Sequence, residues 1–144
     1  MNRKASAQWK GSLKDGNGTF SVGSGAFSNL PYSFGRRFED QPGTNPEELI
    51  AAAHASCFAM ALSAELGKLG ITPVSLEATA TVTFEKQEAG FTITESHLEV
   101  LGKLPTPDAE KWQQATEAAK ASPPSPPEVI ETDLWADGGS SWRN

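Results

Sequence analysis

Cysteine is nearly absent from this chain of 144 residues, which carries a single one, Cys57. That scarcity excludes an intramolecular disulfide and any metal cluster built from several thiolates. Basic charge is also short. Twelve Lys and Arg face 18 Asp and Glu, and the net charge of −6 leaves no footprint for a nucleic-acid backbone. No apolar run is expected to span a membrane, which takes ~18 residues, because His54 and Ser56 interrupt the greasiest stretch, Ile50 to Leu62. The charged start, Met1-Asn2-Arg3-Lys4, has no apolar segment behind it and does not read as a signal peptide. The expected address is therefore cytoplasmic, where a lone thiol rests reduced. Neither nucleic acid nor membrane is an expected partner, and no motif asks for a cofactor or a metal. What remains is ordinary globular composition, 38% hydrophobic and 21% charged, sized for one domain. That domain is expected over residues 1–135, with 136–144 as a frayed tail.

The order of elements points to an α+β fold. Ala5, Ala7, Trp9, Gly11 and Leu13 alternate as in a half-buried strand, and Asp15-Gly16-Asn17-Gly18 supplies the turn into Thr19-Phe20-Ser21-Val22. Tyr32 to Phe38 reads as a third strand. Asn45 then caps a helix with Pro46 at its first position and Glu47 and Glu48 where the helix dipole favours carboxylates. That helix runs to about Leu69 and stops at Gly70. Its density of alanines makes it apolar nearly all round, the pattern of a buried helix that another backbone can approach closely. Leu76 to Phe84 alternates cleanly, a turn follows at Gln87 to Gly90, and a phase shift near Glu95-Ser96 signals a bulge. A second helix from about Pro107 to Lys120 carries Ala109, Trp112, Thr116 and Ala119 on one face. Prolines at 123, 124, 126 and 127 end it, and Val129 to Trp135 reads as an edge strand.

Cys57 is the residue with chemistry to offer. On an Ala-rich helix a lone cysteine is, before context, a small buried hydrophobe. Here His54 precedes it by one turn and Ser56 adjoins it, an odd density of polar groups for a buried helix. A reactive thiol acts as its thiolate, and ten residues from the capped end the helix dipole has faded. A cation must come from elsewhere. Arg36 or Arg37 could supply it, with Glu47 or Glu48 holding the arginine, although solvated surface and helix N-terminal roles are the plainer readings of all four. His54 could act as a base or simply be a satisfied core histidine.

The stretch Gly43-Thr44-Asn45-Pro46-Glu47-Glu48-Leu49-Ile50-Ala51-Ala52-Ala53-His54-Ala55-Ser56-Cys57-Phe58-Ala59-Met60-Ala61-Leu62 resembles the signature of the osmotically induced protein C and organic hydroperoxide resistance family, in its OsmC branch. Arg36-Arg37-Phe38-Glu39 and Gly90-Phe91-Thr92-Ile93-Thr94 share the likeness, which runs from about Ala5 to Ala121. The resemblance implies antiparallel sheets around a long buried helix, completed by an intertwined homodimer. It implies a peroxidase of oxidative and osmotic stress that reduces organic hydroperoxides. Cys57 would be the peroxidatic thiol, Arg37 the arginine that steadies the thiolate and orients the peroxide, and Glu47 the carboxylate that pins the arginine. The family regenerates its thiol through a second cysteine and an external dithiol such as protein-bound dihydrolipoamide.

This chain departs from that pattern. Ala119-Lys120-Ala121 is followed by Ser122-Pro123-Pro124, so Pro123 stands where the second cysteine of the family would be. The expected cycle is therefore a one-cysteine peroxidase resolved by an external thiol. The alternative is a non-catalytic dimer of the same fold that binds small molecules under stress. Glu47 and Cys57 are ten residues apart, about 15 Å along a helix at about 1.5 Å per residue. Since the resemblance asks for all three in one site, one subunit's arginine and carboxylate are expected to serve Cys57 mainly of the other, or to meet it at a seam both subunits form.

Overall fold

The computed structural model describes residues 1–121, 132–136 and 140–143. Its backbone groups into two compact units, Met1–Leu49 and Ile50–Asn144.

The first unit is built on a three-stranded antiparallel sheet of β1 (Ala5–Lys10), β2 (Asn17–Val22) and β3 (Leu30–Ser33), in that order. The strand expected to reach Leu13 ends at Lys10. Beyond it, the Trp9 indole N–H reaches the carbonyls of Gly11 and Ser12, each at 3.2 Å, and closes the turn instead. Phe20 is the buried centre of this unit, 5.3 Å from the Tyr32 ring and edge-on to Phe27 at 5.8 Å. The third strand is shorter than its alternation implies. Ser33 caps a helical turn, α1 (Phe34–Phe38), by accepting from the Arg36 N–H at 3.3 Å. One turn apart on that helix, Phe34 and Phe38 bring their rings to 4.7 Å. Arg36 and Arg37 therefore sit on a helix and not at a strand end.

The long helix α2 (Pro46–Lys68) begins in the first unit and continues into the second. Asn45 caps it as expected, accepting from the Glu48 N–H at 2.8 Å. Gly70, at φ +77, lies just past its end, in the left-handed conformation common after helix C-termini. The helix is not buried all round within the chain. His54, Phe58, Leu62 and Leu66 form its buried stripe, whereas Ala52, Ala53, Ser56, Cys57, Met60 and Ala64 are exposed. By length and composition it is also apolar enough to cross a membrane, contrary to the expectation from its interrupted run. The many alanines outweigh His54 and Ser56. From its buried stripe, Phe58, Leu62 and Leu66 join the core of the second unit.

In the second unit β4 (Ser75–Gln87) and β5 (Gly90–Lys103) form a long antiparallel hairpin whose turn pairs Gln87 with Gly90. The register shifts where Thr83 pairs with Glu95 and Phe84 with Ile93, one residue before the expected bulge. The connection out of β5 contains α3 (Ala109–Ala121) and returns as β6 (Thr132–Ala136), parallel to β5. The final strand, β7 (Ser140–Arg143), pairs antiparallel with β6. Two expectations fail here. β6 is not an edge strand but lies between β5 and β7, and the tail holds a strand because β6 offers it a partner edge. The proline run from Pro123 to Pro127 and the start expected for the last strand lie outside the described residues. The core joins Phe58, Leu62 and Leu66 of α2, Leu98 and Val100 of β5, and Trp112, Ala115 and Ala119 of α3.

Candidate active site

The first unit chooses between the two arginines and between the two glutamates. Arg37 donates to Glu47 through Nε at 3.1 Å and Nη2 at 2.8 Å, both to Oε1, with a further Nε contact to Oε2 at 3.3 Å. This is charge-assisted pairing in which the planar guanidinium engages both carboxylate oxygens. Glu47 is buried, and the Arg37 guanidinium also lies 5.2 Å from the centre of the Phe38 ring. Arg36 turns elsewhere and donates to the Pro31 carbonyl at 2.7 Å. Glu48 is exposed, at the first turn of the helix. Two apolar hollows of the first unit share Arg37 and Tyr32 as lining. One, of about 400 Å³, includes Phe20, Val22, Phe27 and Leu49. The other, of about 200 Å³, includes Trp9, Leu13, Phe34 and Phe38. A guanidinium set in apolar walls suits a ligand with a polar head and an apolar body.

Cys57 belongs to the second unit and is exposed on α2. Its polar neighbours in sequence turn away to other partners. Ser56 donates to the Ala53 carbonyl at 3.0 Å within its own helix. His54 is buried, with Nδ1 at 2.6 Å from the Ser96 hydroxyl of β5. Burial lowers the His54 pKa from its ordinary 6.5 and keeps the ring neutral near pH 7. Its Nε2 is buried with no partner among the described residues. Ser96 is the site neighbour that sequence reasoning missed. The phase shift near Glu95-Ser96 was its signal, since it puts Ser96 on the same inward face as Leu98 and Val100. Among the described residues no three His, Cys, Asp or Glu side chains cluster to hold a metal ion.

Residues 38–125 match the family described as OsmC-like protein. The chain belongs to this family. It is 44% identical over 137 residues to the Peroxiredoxin OsmC of Escherichia coli (strain K12), a span covering 95% of each protein. Among solved structures it is similar to the organic hydroperoxide resistance protein OhrB of Bacillus subtilis, at 26% identity and a TM-score of 0.64, covering 93% of this chain and 98% of that one. An organic hydroperoxide resistance protein OsmC of Legionella pneumophila shares the fold at 20% identity and a TM-score of 0.67, covering 92% and 96%. The α+β fold of this chain is thus the OsmC fold.

Proposed function

We propose that this member of the OsmC-like family is a thiol-dependent peroxidase that reduces organic hydroperoxides to alcohols. The observation that carries this reading is the bidentate Arg37–Glu47 pair, in a chain 44% identical to a protein named Peroxiredoxin OsmC. The Cys57 thiolate attacks the distal peroxide oxygen, an S–O bond forms as the O–O bond breaks, and the leaving alkoxide takes a proton to become the alcohol. Arg37 supports the negative charge that develops on the leaving oxygen, and Glu47 holds the guanidinium in position. Cys57 is left as a sulfenic acid. With one cysteine in the chain, two equivalents of an external thiol, or one dithiol of the dihydrolipoamide type, return it to the thiol with loss of water and formation of the reductant's disulfide.

The working unit in this reading is a homodimer of single OsmC-like domains in the cytoplasm. The exposed apolar face of α2, with Ala52, Ala53, Met60 and Ala64, supports a second copy as its cover. The ten-residue separation of Glu47 and Cys57 along the helix supports a site to which one copy gives the arginine and the other the thiol. A non-catalytic binding dimer is the second reading, favoured by the missing second cysteine alone.

Steady-state turnover of cumene hydroperoxide with dithiothreitol or dihydrolipoamide decides between them. The proposal expects turnover that Cys57→Ser abolishes and Arg37→Ala lowers on the order of 100-fold. No turnover with any thiol donor leaves the binding dimer.

A further inference from the structure

We infer that Asn45 is a positioning residue for the Arg37–Glu47 pair, one side-chain amide that ties the backbone beside the arginine to the backbone beside the carboxylate. The inference rests on the peroxidase reading for its consequence and on geometry for its substance. Oδ1 of Asn45 accepts from the Glu48 N–H at 2.8 Å, and Nδ2 donates to the Arg36 carbonyl at 3.3 Å. The Glu48 N–H belongs to the peptide that directly follows Glu47. The Arg36 carbonyl belongs to the peptide that directly precedes Arg37. The amide and the ion pair thus close a ring: backbone at Arg37, Asn45, backbone at Glu47, and back through carboxylate and guanidinium. Both partners of the amide are main-chain groups of fixed character, so a flipped amide would set donor against donor and acceptor against acceptor.

The tie matters because α1 has little to hold it by itself. Five residues make scarcely more than one turn, and a helix that short does not persist alone. The arginine side chain is 36% exposed and long, so its aim depends on where its backbone is fixed. A second brace acts on the same connection. Gly43, at φ +131, lets the Arg36 side chain lie against the backbone, where an added Cβ would stand 2.6 Å from Arg36 Nε. Gln41 closes the loop from the other side, its N–H donating to the Gly35 carbonyl at 3.1 Å. Helix capping alone needs only the Oδ1 half of Asn45. The Nδ2 half has no part in the cap, and it is the half that reaches α1.

Substitutions separate the two halves. Asn45→Asp keeps an oxygen that caps α2 and has no donor for Arg36, and Asn45→Ser caps with a hydroxyl one bond short of the reach of Nδ2 to the Arg36 carbonyl. Both variants are expected to keep a melting temperature close to that of the wild type, while kcat/KM for cumene hydroperoxide falls about 10-fold, an effect the scale of one misaligned charge-assisted contact. The second readout needs no turnover. The Arg37 Nε–H resonance in a ¹⁵N–¹H spectrum, set by its pairing with Glu47, is expected to move in both variants toward its position in Glu47→Gln. Wild-type kcat/KM and an unmoved Arg37 resonance in both variants would overturn the inference, leaving Asn45 a cap only. A wild type without peroxidase activity counts against the peroxidase reading, and the resonance then decides the positioning role alone.

Discussion

A neutral imidazole in the core, one turn before an exposed thiol, makes the second unit sensitive to pH at His54. Its partner on the facing sheet is the Ser96 hydroxyl of β5, with Val82 paired to Ser96 on β4, and neither is charged. Neither of these carries a charge to offset the cost of a buried positive ring. Burial sets its folded pKa below the 6.5 of the exposed side chain. Between those two values the unfolded chain binds the proton and the folded chain does not, so stability is lost as pH falls below about 6.5. Thermal midpoints measured at about pH 7.5 and about pH 5.5 should therefore fall for the wild type. In His54→Gln the same fall should be smaller, and an equal fall in both would show that the ring does not contribute. Residue choice was the part of the site least legible from sequence. Arg36 and Arg37 are neighbours of one kind, as are Glu47 and Glu48, and no spacing tells which pair meets. The helical turn of α1 settles it by sending Arg36 to Pro31 and Arg37 to Glu47. Only the family resemblance had favoured Arg37 and Glu47.

Helix starts and hairpins, by contrast, are written in local chemistry. Asn45-Pro46 and Gly70 bound α2, and the turn at Gln87 to Gly90 joins β4 to β5, because caps and turns are made by residues adjacent in sequence. Where alternation continued past a better local partner, it misled: Ser33 takes the Arg36 N–H and converts an apparent strand into α1. Pairing between distant strands was less legible still. No local signal marks Thr132–Ala136 as parallel to β5, or the last residues as a strand beside it. The fit of α3 against β5 has one narrow point. Gly102 is buried under the Trp112 ring, where an added Cβ would overlap the six-membered ring atoms. Gly102→Ala should destabilise the chain by about 1–3 kcal/mol through overpacking. Trp112→Leu in that background should cost less than Trp112→Ala alone costs the wild type, which is about 3–5 kcal/mol. Denaturant midpoints check both, and a neutral Gly102→Ala would show that the helix shifts freely over the sheet.

The proposed site needs a second copy of the chain. The first unit carries the arginine and its carboxylate, the second unit carries the thiol, and α2 keeps an apolar face exposed. If the site is shared across a two-fold axis, two inactive variants should repair each other. Cys57→Ser keeps Arg37, Arg37→Ala keeps Cys57, and each heterodimer then holds one complete site of two. Random mixing makes half of the dimers heterodimers, so co-refolded equal mixtures should recover about a quarter of wild-type turnover. Recovery no greater than the sum of the separate variants would place the whole site within one chain.

In the proposed cycle Cys57 is the residue that meets the peroxide, and intact mass spectrometry reads this without a coupled assay. One equivalent of cumene hydroperoxide should add one oxygen to the reduced protein, and peptide mapping should locate it on Cys57. Excess peroxide should carry the same residue on to two or three added oxygens, since the chain has no second thiol to intercept the sulfenic acid. Cys57 found unmodified in the wild type after excess cumene hydroperoxide would rule it out as the peroxidatic thiol.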